Sequence, residues 1–279
     1  MRYENCERRL DGLPIGGDVN WRRCELNNTN SAPLRGRQQI VDVCLLAGKV
    51  MLENGAETYR VEDTMRRIAE ACGSEAQSFV TPTGIVFSLE GEGATRVARV
   101  NERRIDLQKV TRTNDISRNF CQGSITLQEA HDELLMVESS HHAYRFWLQA
   151  TAAAIASGCF LIMFQGVWPD FVDAVVCGGL GFAVAFSLHR FTRVKFFAEF
   201  MAALSVGLST ALLMKLGLGH MSEKIEIASV MPLVPGMLIT NAVRDLMAGH
   251  LVSGTSKGVE ALLTALAIGG GIATTLTLL

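Results

Sequence analysis

No Cys-x-x-Cys pair occurs among the seven cysteines, Cys6, Cys24, Cys44, Cys72, Cys121, Cys159 and Cys177. A zinc site needs tighter clustering of thiolates, so no metal is expected. Their odd number, with two in apolar stretches, reads as free thiols in a reducing compartment. There is no P-loop, no Gly-x-Gly-x-x-Gly run and no nucleophile elbow on a predicted strand, so catalysis has no motif to rest on and no cofactor is expected. A basic surplus is also missing. The net charge of −2 argues against a nucleic-acid partner, which would call for a basic face. The opening Met-Arg-Tyr-Glu-Asn-Cys-Glu-Arg-Arg lacks an apolar core, so no cleavable signal peptide is expected. A soluble part should then stay on the side where it is made.

Charge itself becomes scarce half-way along. Residues 1–142 hold 18 of the 26 Lys+Arg and 21 of the 28 Asp+Glu; residues 143–279 hold 8 and 7. The mean hydropathy of +0.22 therefore averages a polar half and a very apolar one. The first has the composition of a soluble domain and the second that of a membrane domain. The expected fold is a membrane protein with an N-terminal cytoplasmic α+β domain followed by five transmembrane α-helices.

Residues 1–36 carry no periodicity and read as a flexible tail. Residues 37–142 read as the cytoplasmic domain. Ile40, Val41, Cys44, Ala47, Val50 and Met51 share a helical face, and Gly55 can end that helix in a left-handed cap. A second helix carries Val61, Met65, Ile68, Ala69 and Cys72 and stops at Gly73. Ile85–Leu89 and Thr95–Val100, joined by a turn at 90–93, predict a β-hairpin. Thr81-Pro82-Thr83-Gly84 should be a bend or an edge. Helices resume after Asp106, and Thr126-x-x-Glu129 fits a capping box.

Residues 143–279 read as the transmembrane domain. Five apolar runs cover about 143–165, 171–188, 196–216, 225–243 and 258–278, each near the length needed to span a bilayer. Dense small residues, such as Ala152-Ala-Ala154 and Gly269-Gly-Gly271, suit close helix packing. With the soluble domain inside, Arg190, Arg193, Lys195, Arg244 and Lys257 fall inside and Lys215 and Lys224 outside, which satisfies the positive-inside rule. The C-terminus then lies outside.

The fourth run contains Pro232-Leu-Val-Pro235-Gly236. Two prolines three residues apart break a helix, and Gly236 adds backbone freedom. A broken helix at membrane depth is tolerated where protein or a water-filled cavity covers it, and in transporters such breaks often form the substrate site. A packing kink is the plainer alternative. Asn241, Arg244 and Asp245 follow within two turns. Arg244, a permanent cation, suits a carboxylate ligand; alternatively it is an anchor paired with Asp245 at the helix end. Asp173 and Glu199, near the starts of the second and third spans, are candidates for proton coupling, or else solvated interfacial groups. Asp170 reads as loop. His131, His141, His142, His189 and His250 read as exposed loop histidines, with a pH-sensing role as the alternative. Arg60 and Glu62 stand two apart on the second helix and point in different directions. With Thr58 they form either structural ties to the strands or membrane half, or a regulatory or catalytic site.

These features resemble the threonine/serine exporter family. The resemblance rests on Asn54-Gly-Ala-Glu-Thr-Tyr-Arg-Val-Glu62, Thr81-Pro-Thr83, Thr95-Arg-Val97, Asp106-Leu107 and Gly123 to Ala130. In the apolar half it rests on Pro232-Leu-Val-Pro-Gly236, Asn241-Ala-Val-Arg-Asp-Leu246, Ala248-Gly249 and Gly254. It covers roughly residues 38–279. It implies a proton-motive-force-driven secondary transporter in a bacterial inner membrane, exporting small carboxylate metabolites. Some members have ten spans; five spans resemble the split type, whose soluble-domain subunit pairs with a shorter membrane subunit and is associated with succinate rather than threonine. A homo-oligomer is the other assembly. Lys257 stands where the family often has Arg, which keeps charge but not bidentate reach. Pro232, Pro235, Gly236, Asn241, Arg244, Asp245 and Lys257 are thus the substrate-site candidates. A membrane-anchored enzyme, or a sensor or scaffold subunit, is the competing reading.

Overall fold

A computed structural model describes residues 33–90, 95–101, 103–140, 144–192 and 194–278. The predicted tail lies outside the described residues as far as residue 32, as do the centre of the 90–93 turn, His141, His142 and Arg193.

The N-terminal unit opens with α1 (Pro33–Glu53) and α2 (Thr58–Ala71). Proline at the first helical position costs no hydrogen bond, because that N–H has no helical partner anyway. Gly55 adopts φ +90° and turns the chain between the two helices. Three antiparallel strands follow, β1 (Ala76–Thr81), β2 (Gly84–Leu89) and β3 (Arg96–Arg99), in the order β1-β2-β3. Thr81 pairs with Gly84, so the predicted bend is a two-residue hairpin turn, and β2 also pairs with β3 as the second hairpin. Strand alternation puts Ile85, Phe87 and Leu89 in the core and Val86 on the opposite face. Next come α3 (Leu107–Cys121) and α4 (Leu127–Ser139). Thr126 and Glu129 close a reciprocal capping box at the start of α4. One apolar cluster joins the helices to the sheet through Val50, Met65, Ile68, Ile85, Phe87 and Leu134.

The apolar half comprises α5 (Phe146–Met163), α6 (Phe171–Thr192), α7 (Lys195–Lys215), α8 (Ser222–Val230), α9 (Gly236–Met247) and α10 (Leu251–Leu278). A 3₁₀ turn, Trp168–Asp170, leads into α6, and another, Met231–Leu233, follows α8. Among the described residues four helices are long and apolar enough to cross a membrane, and α8 with α9 forms a pair bent by 63°, a fifth span if the two count as one and otherwise a re-entrant loop. Val234 is extended and Pro235 has no N–H to donate, so helical bonding stops at Leu233 and restarts at Gly236. The last helix begins at Leu251, seven residues before the apolar run read from sequence. Hydropathy detects only its apolar part.

Small residues bring the helices together. Gly178 lies against Ser157 of α5, Gly181 against Val206 of α7, and Gly271 of α10 against the Phe200 carbonyl of α7. A side chain at any of these would collide with its neighbour. Leu161, Cys177, Val206, Ile225 and Ile268 form the shared core. The string Gly254-Thr-Ser256-Lys-Gly258 matches the spacing of a nucleophile elbow. It lies inside α10, with no strand-to-helix turn to expose the serine.

Candidate functional site

The polar side chains of α9 and α10 meet the start of α2. A helix begins with backbone N–H groups that have no partner within it. Glu57, at the cap position of α2, leaves those groups uncapped. Asp245 supplies the cap from 187 residues away: its Oδ1 accepts the Thr58 N–H at 2.9 Å and its Oδ2 accepts the Thr58 hydroxyl at 2.8 Å. A carboxylate also suits the positive end of the α2 dipole. Lys257 Nζ completes the arrangement, 2.7 Å from Asp245 Oδ2 and 3.3 Å from Thr58 Oγ1. Asp245 is fully buried and the Lys257 side chain only 7% exposed. Two opposite charges so far from water are tolerated because each has a partner.

Glu57 is itself buried and accepts two guanidiniums. Arg244 Nη1 donates to its Oε1 at 2.5 Å and Arg60 Nη1 to its Oε2 at 3.3 Å. Burial would raise the Glu57 pKa, but its own backbone N–H and the two guanidiniums outweigh that and hold the carboxyl below its ordinary range. Asn241 Nδ2 donates to the Gly55 carbonyl at 2.9 Å, which the φ +90° turn presents to α9. One helical turn further along α2, Glu62 accepts the Val80 N–H at 3.0 Å and lies 3.8 Å from His250. Burial, the largest effect, holds Glu62 above its usual range; Asp245 adds to this, while the Val80 N–H and His250 oppose it. Ser253 of α10 donates to the Val80 carbonyl at 3.2 Å.

The structure therefore brings Thr58, Arg60, Asn241, Arg244, Asp245 and Lys257 into one joint, with Glu62 on its flank. Pro232, Pro235 and Gly236 are not in it. The bend lies eight residues before Arg244, about 12 Å along α9. Arg244 does not pair with Asp245: neighbours on a helix diverge, and each finds its own partner in the N-terminal unit or α10. Glu57 is the one member of this joint that the sequence reading does not single out, although it stands in the 54–62 stretch, and Gly55, read there only as a helix cap, also presents its carbonyl to Asn241.

Asp173 and Glu199 lie elsewhere. Both are buried, and among the described residues Asp173 Oδ2 and Glu199 Oε2 have no hydrogen-bond partner. Glu199 Oε1 is 3.2 Å from His189 Nε2 at the junction of α6 and α7. Asp170, read from sequence as loop, is fully buried. It accepts the His220 and Met221 N–H groups, each at 2.9 Å, and meets His220 Nδ1 at 2.9 Å. It ties the turn before α6 to the entry of α8. Sequence gave no warning, because a buried Asp and a loop Asp look alike until the second strand of chain is placed. Among the described residues, no group of three His, Cys, Asp or Glu is placed to hold a metal.

The order of these motifs along the chain fits a known family. The model of the threonine/serine exporter family, ThrE, matches residues 42–279. The chain belongs to the threonine/serine exporter family. Its relatives differ in length. The "Probable succinate transporter subunit YjjP" of Escherichia coli is 25% identical over 255 residues, covering 87% of this chain and 95% of that protein. The "Probable threonine/serine exporter" of Mycobacterium tuberculosis is 22% identical over 95% of this chain, which spans only 50% of that protein. "Pheromone-regulated membrane protein 10" of Pichia sorbitophila is 24% identical over 86% of this chain and 24% of its own length. No solved structure matches the chain. As a member of this family, with four spanning helices and a bent pair, the chain is a multi-pass membrane protein of the exporter type.

Proposed function

We propose that this chain is one subunit of a proton-motive-force-driven exporter of small carboxylates in a bacterial inner membrane. The substrate is a succinate-type dicarboxylate, or threonine and serine. The N-terminal unit is cytoplasmic, the last helix ends outside, and a shorter membrane subunit of the same family, or a second copy, completes the permeation path.

One observation carries the reading. Arg244, near the end of the bent span, and Lys257, in the second turn of α10, each already hold a carboxylate, Glu57 and Asp245 respectively. Sites that grip carboxylates with charge-assisted hydrogen bonds suit a carboxylate cargo. In this proposal the cargo competes with Glu57 for Arg244, the more exposed cation, with its side chain 56% accessible. The buried Asp245–Lys257–Thr58 cluster keeps α9 and α10 in register with the N-terminal unit. The bend at Pro232, Pro235 and Gly236 lets α9 swing against α8. Asp173 and Glu199, each with a buried oxygen that has no partner among the described residues, carry the proton steps towards opposite faces.

Efflux from proteoliposomes loaded with labelled succinate, threonine or serine tests this, run with the chain alone and with a shorter family subunit. The expected result is efflux that collapses with an uncoupler and ranks the substrates. Arg244→Ala should abolish it while insertion stays normal, and Asp173→Asn should uncouple flux from the pH gradient. Normal efflux by Arg244→Ala removes Arg244 from the site. Absence of efflux with both subunits inserted favours a sensor or scaffold role for the N-terminal unit.

A further inference from the structure

The N-terminal unit touches α10 at points that advance along the helix. Ser253 meets Val80, Lys257 meets Thr58, and Glu260 Oε2 meets Arg103 Nη2 at 2.8 Å. These three positions lie on one face of α10, at spacings of four and three. Glu260 is also the last charged residue of the sequence. From Glu260 to Leu278 the helix rises about 27 Å, close to the ~30 Å thickness of a hydrocarbon core. A hydrocarbon boundary at Glu260 would put Arg103 at headgroup level.

The chain around Arg103 has the composition of a membrane-surface element. Residues 96–107 hold Arg96, Arg99, Arg103 and Arg104 against Glu102 and Asp106. Asp106 is occupied as the cap of α3, accepting the N–H groups of Gln108 and Lys109. The same stretch exposes apolar side chains: Val97 is 71% and Ile105 63% accessible, and Leu107 is half exposed. Val97 extends an apolar row across the sheet, since it pairs with Val86, which pairs with Phe79. All three lie on the face away from the core. Alternating arginines and exposed aliphatics beside a hydrocarbon boundary suit an anionic lipid surface.

We infer that residues 96–101 and 103–107 dock on the anionic phospholipid headgroups of the leaflet facing the N-terminal unit. Arg99, on the same strand face as Val97, meets the phosphates beside Arg103, and Val97 and Ile105 enter the interfacial layer. This holds the unit upright against α10 without using the Thr58–Asp245 joint.

Hydrogen exchange of the full chain in nanodiscs tests it, comparing phosphatidylcholine alone with phosphatidylcholine containing phosphatidylglycerol. Amides of residues 96–101 and 103–107 should exchange about fivefold more slowly in the anionic discs, the effect of roughly one arginine–surface contact. Arg96→Glu with Arg99→Glu should remove the difference while α1 and α2 stay protected, which shows that the unit is still folded. Arg96→Gln with Arg99→Gln should give an intermediate effect. Equal exchange in both lipids overturns the inference. So does equal protection in lipid-free detergent with cross-links between copies at Val97, which would assign the surface to a protein partner.

Discussion

Lys257→Met is the substitution that most directly probes the joint. Methionine keeps most of the side-chain length and removes only the charge and its hydrogen bonds. Asp245 is fully buried and takes three hydrogen bonds, two from Thr58 and one from Lys257. Without the ammonium its charge is left uncompensated away from water. Breaking a buried pair by removing one partner costs about 3–5 kcal/mol. For a chain of this size, ~2–4 °C of melting temperature follows each kcal/mol, so a fall of roughly 6–20 °C is expected. Asp245→Asn combined with Lys257→Met should lose less than Lys257→Met alone. The amide oxygen can still accept from the Thr58 N–H, and no net charge remains buried. Thermal unfolding in nanodiscs, followed by tryptophan fluorescence, measures the single and double variants. A Lys257→Met protein within ~1 kcal/mol of the parent would refute the reasoning, as would strictly additive effects in the double variant.

Three further outcomes are expected. Glu57→Gln should cost only about 1 kcal/mol, because the half-exposed Arg244 guanidinium is screened by water. Glu57 is held below its ordinary value, so its contribution is present above about pH 4.3 and is lost as pH falls through the lower folded value. The Gln variant should flatten that acid limb in a pH series of melting curves, and an unchanged limb would assign it to another carboxylate. Asp170→Asn weakens the acceptor of two backbone N–H groups and His220, at roughly 1–3 kcal/mol, and should speed amide exchange at His220 and Met221. Unaltered exchange there would mean that the loop is held by other contacts. Gly55→Ala forces an alanine into φ +90° and should cost ~1–2 kcal/mol; an unchanged melting temperature would show that the turn relaxes.

What the sequence disclosed and what it hid divide along a physical line. Features set by neighbours in the chain were legible. The capping box at Thr126, the left-handed turn at Gly55, the β2–β3 hairpin and the break after Leu233 each depend on a few consecutive residues. So was the family, from short stretches in order. Features set by distant partners were not. Thr58 and Asp245 were both noticed, but nothing local says that one caps the helix that the other begins. The alternative of an Arg244–Asp245 pair does not form, because Arg244 meets Glu57, 187 residues away in sequence. The first two turns of α10 fall outside the apolar run because their polar face, with Ser253 and Lys257, lowers the hydropathy on which a span is recognised. That face is polar for a reason that the fold supplies: it lies against the N-terminal unit rather than lipid. The same logic explains why the 54–62 and 241–245 stretches must be read together. Each looks like an isolated polar motif, and each provides the charges that make the other tolerable when buried. A substitution in one should therefore be rescued, in part, by a matched change in the other, and by nothing at the Asp170–His220 end of the membrane half.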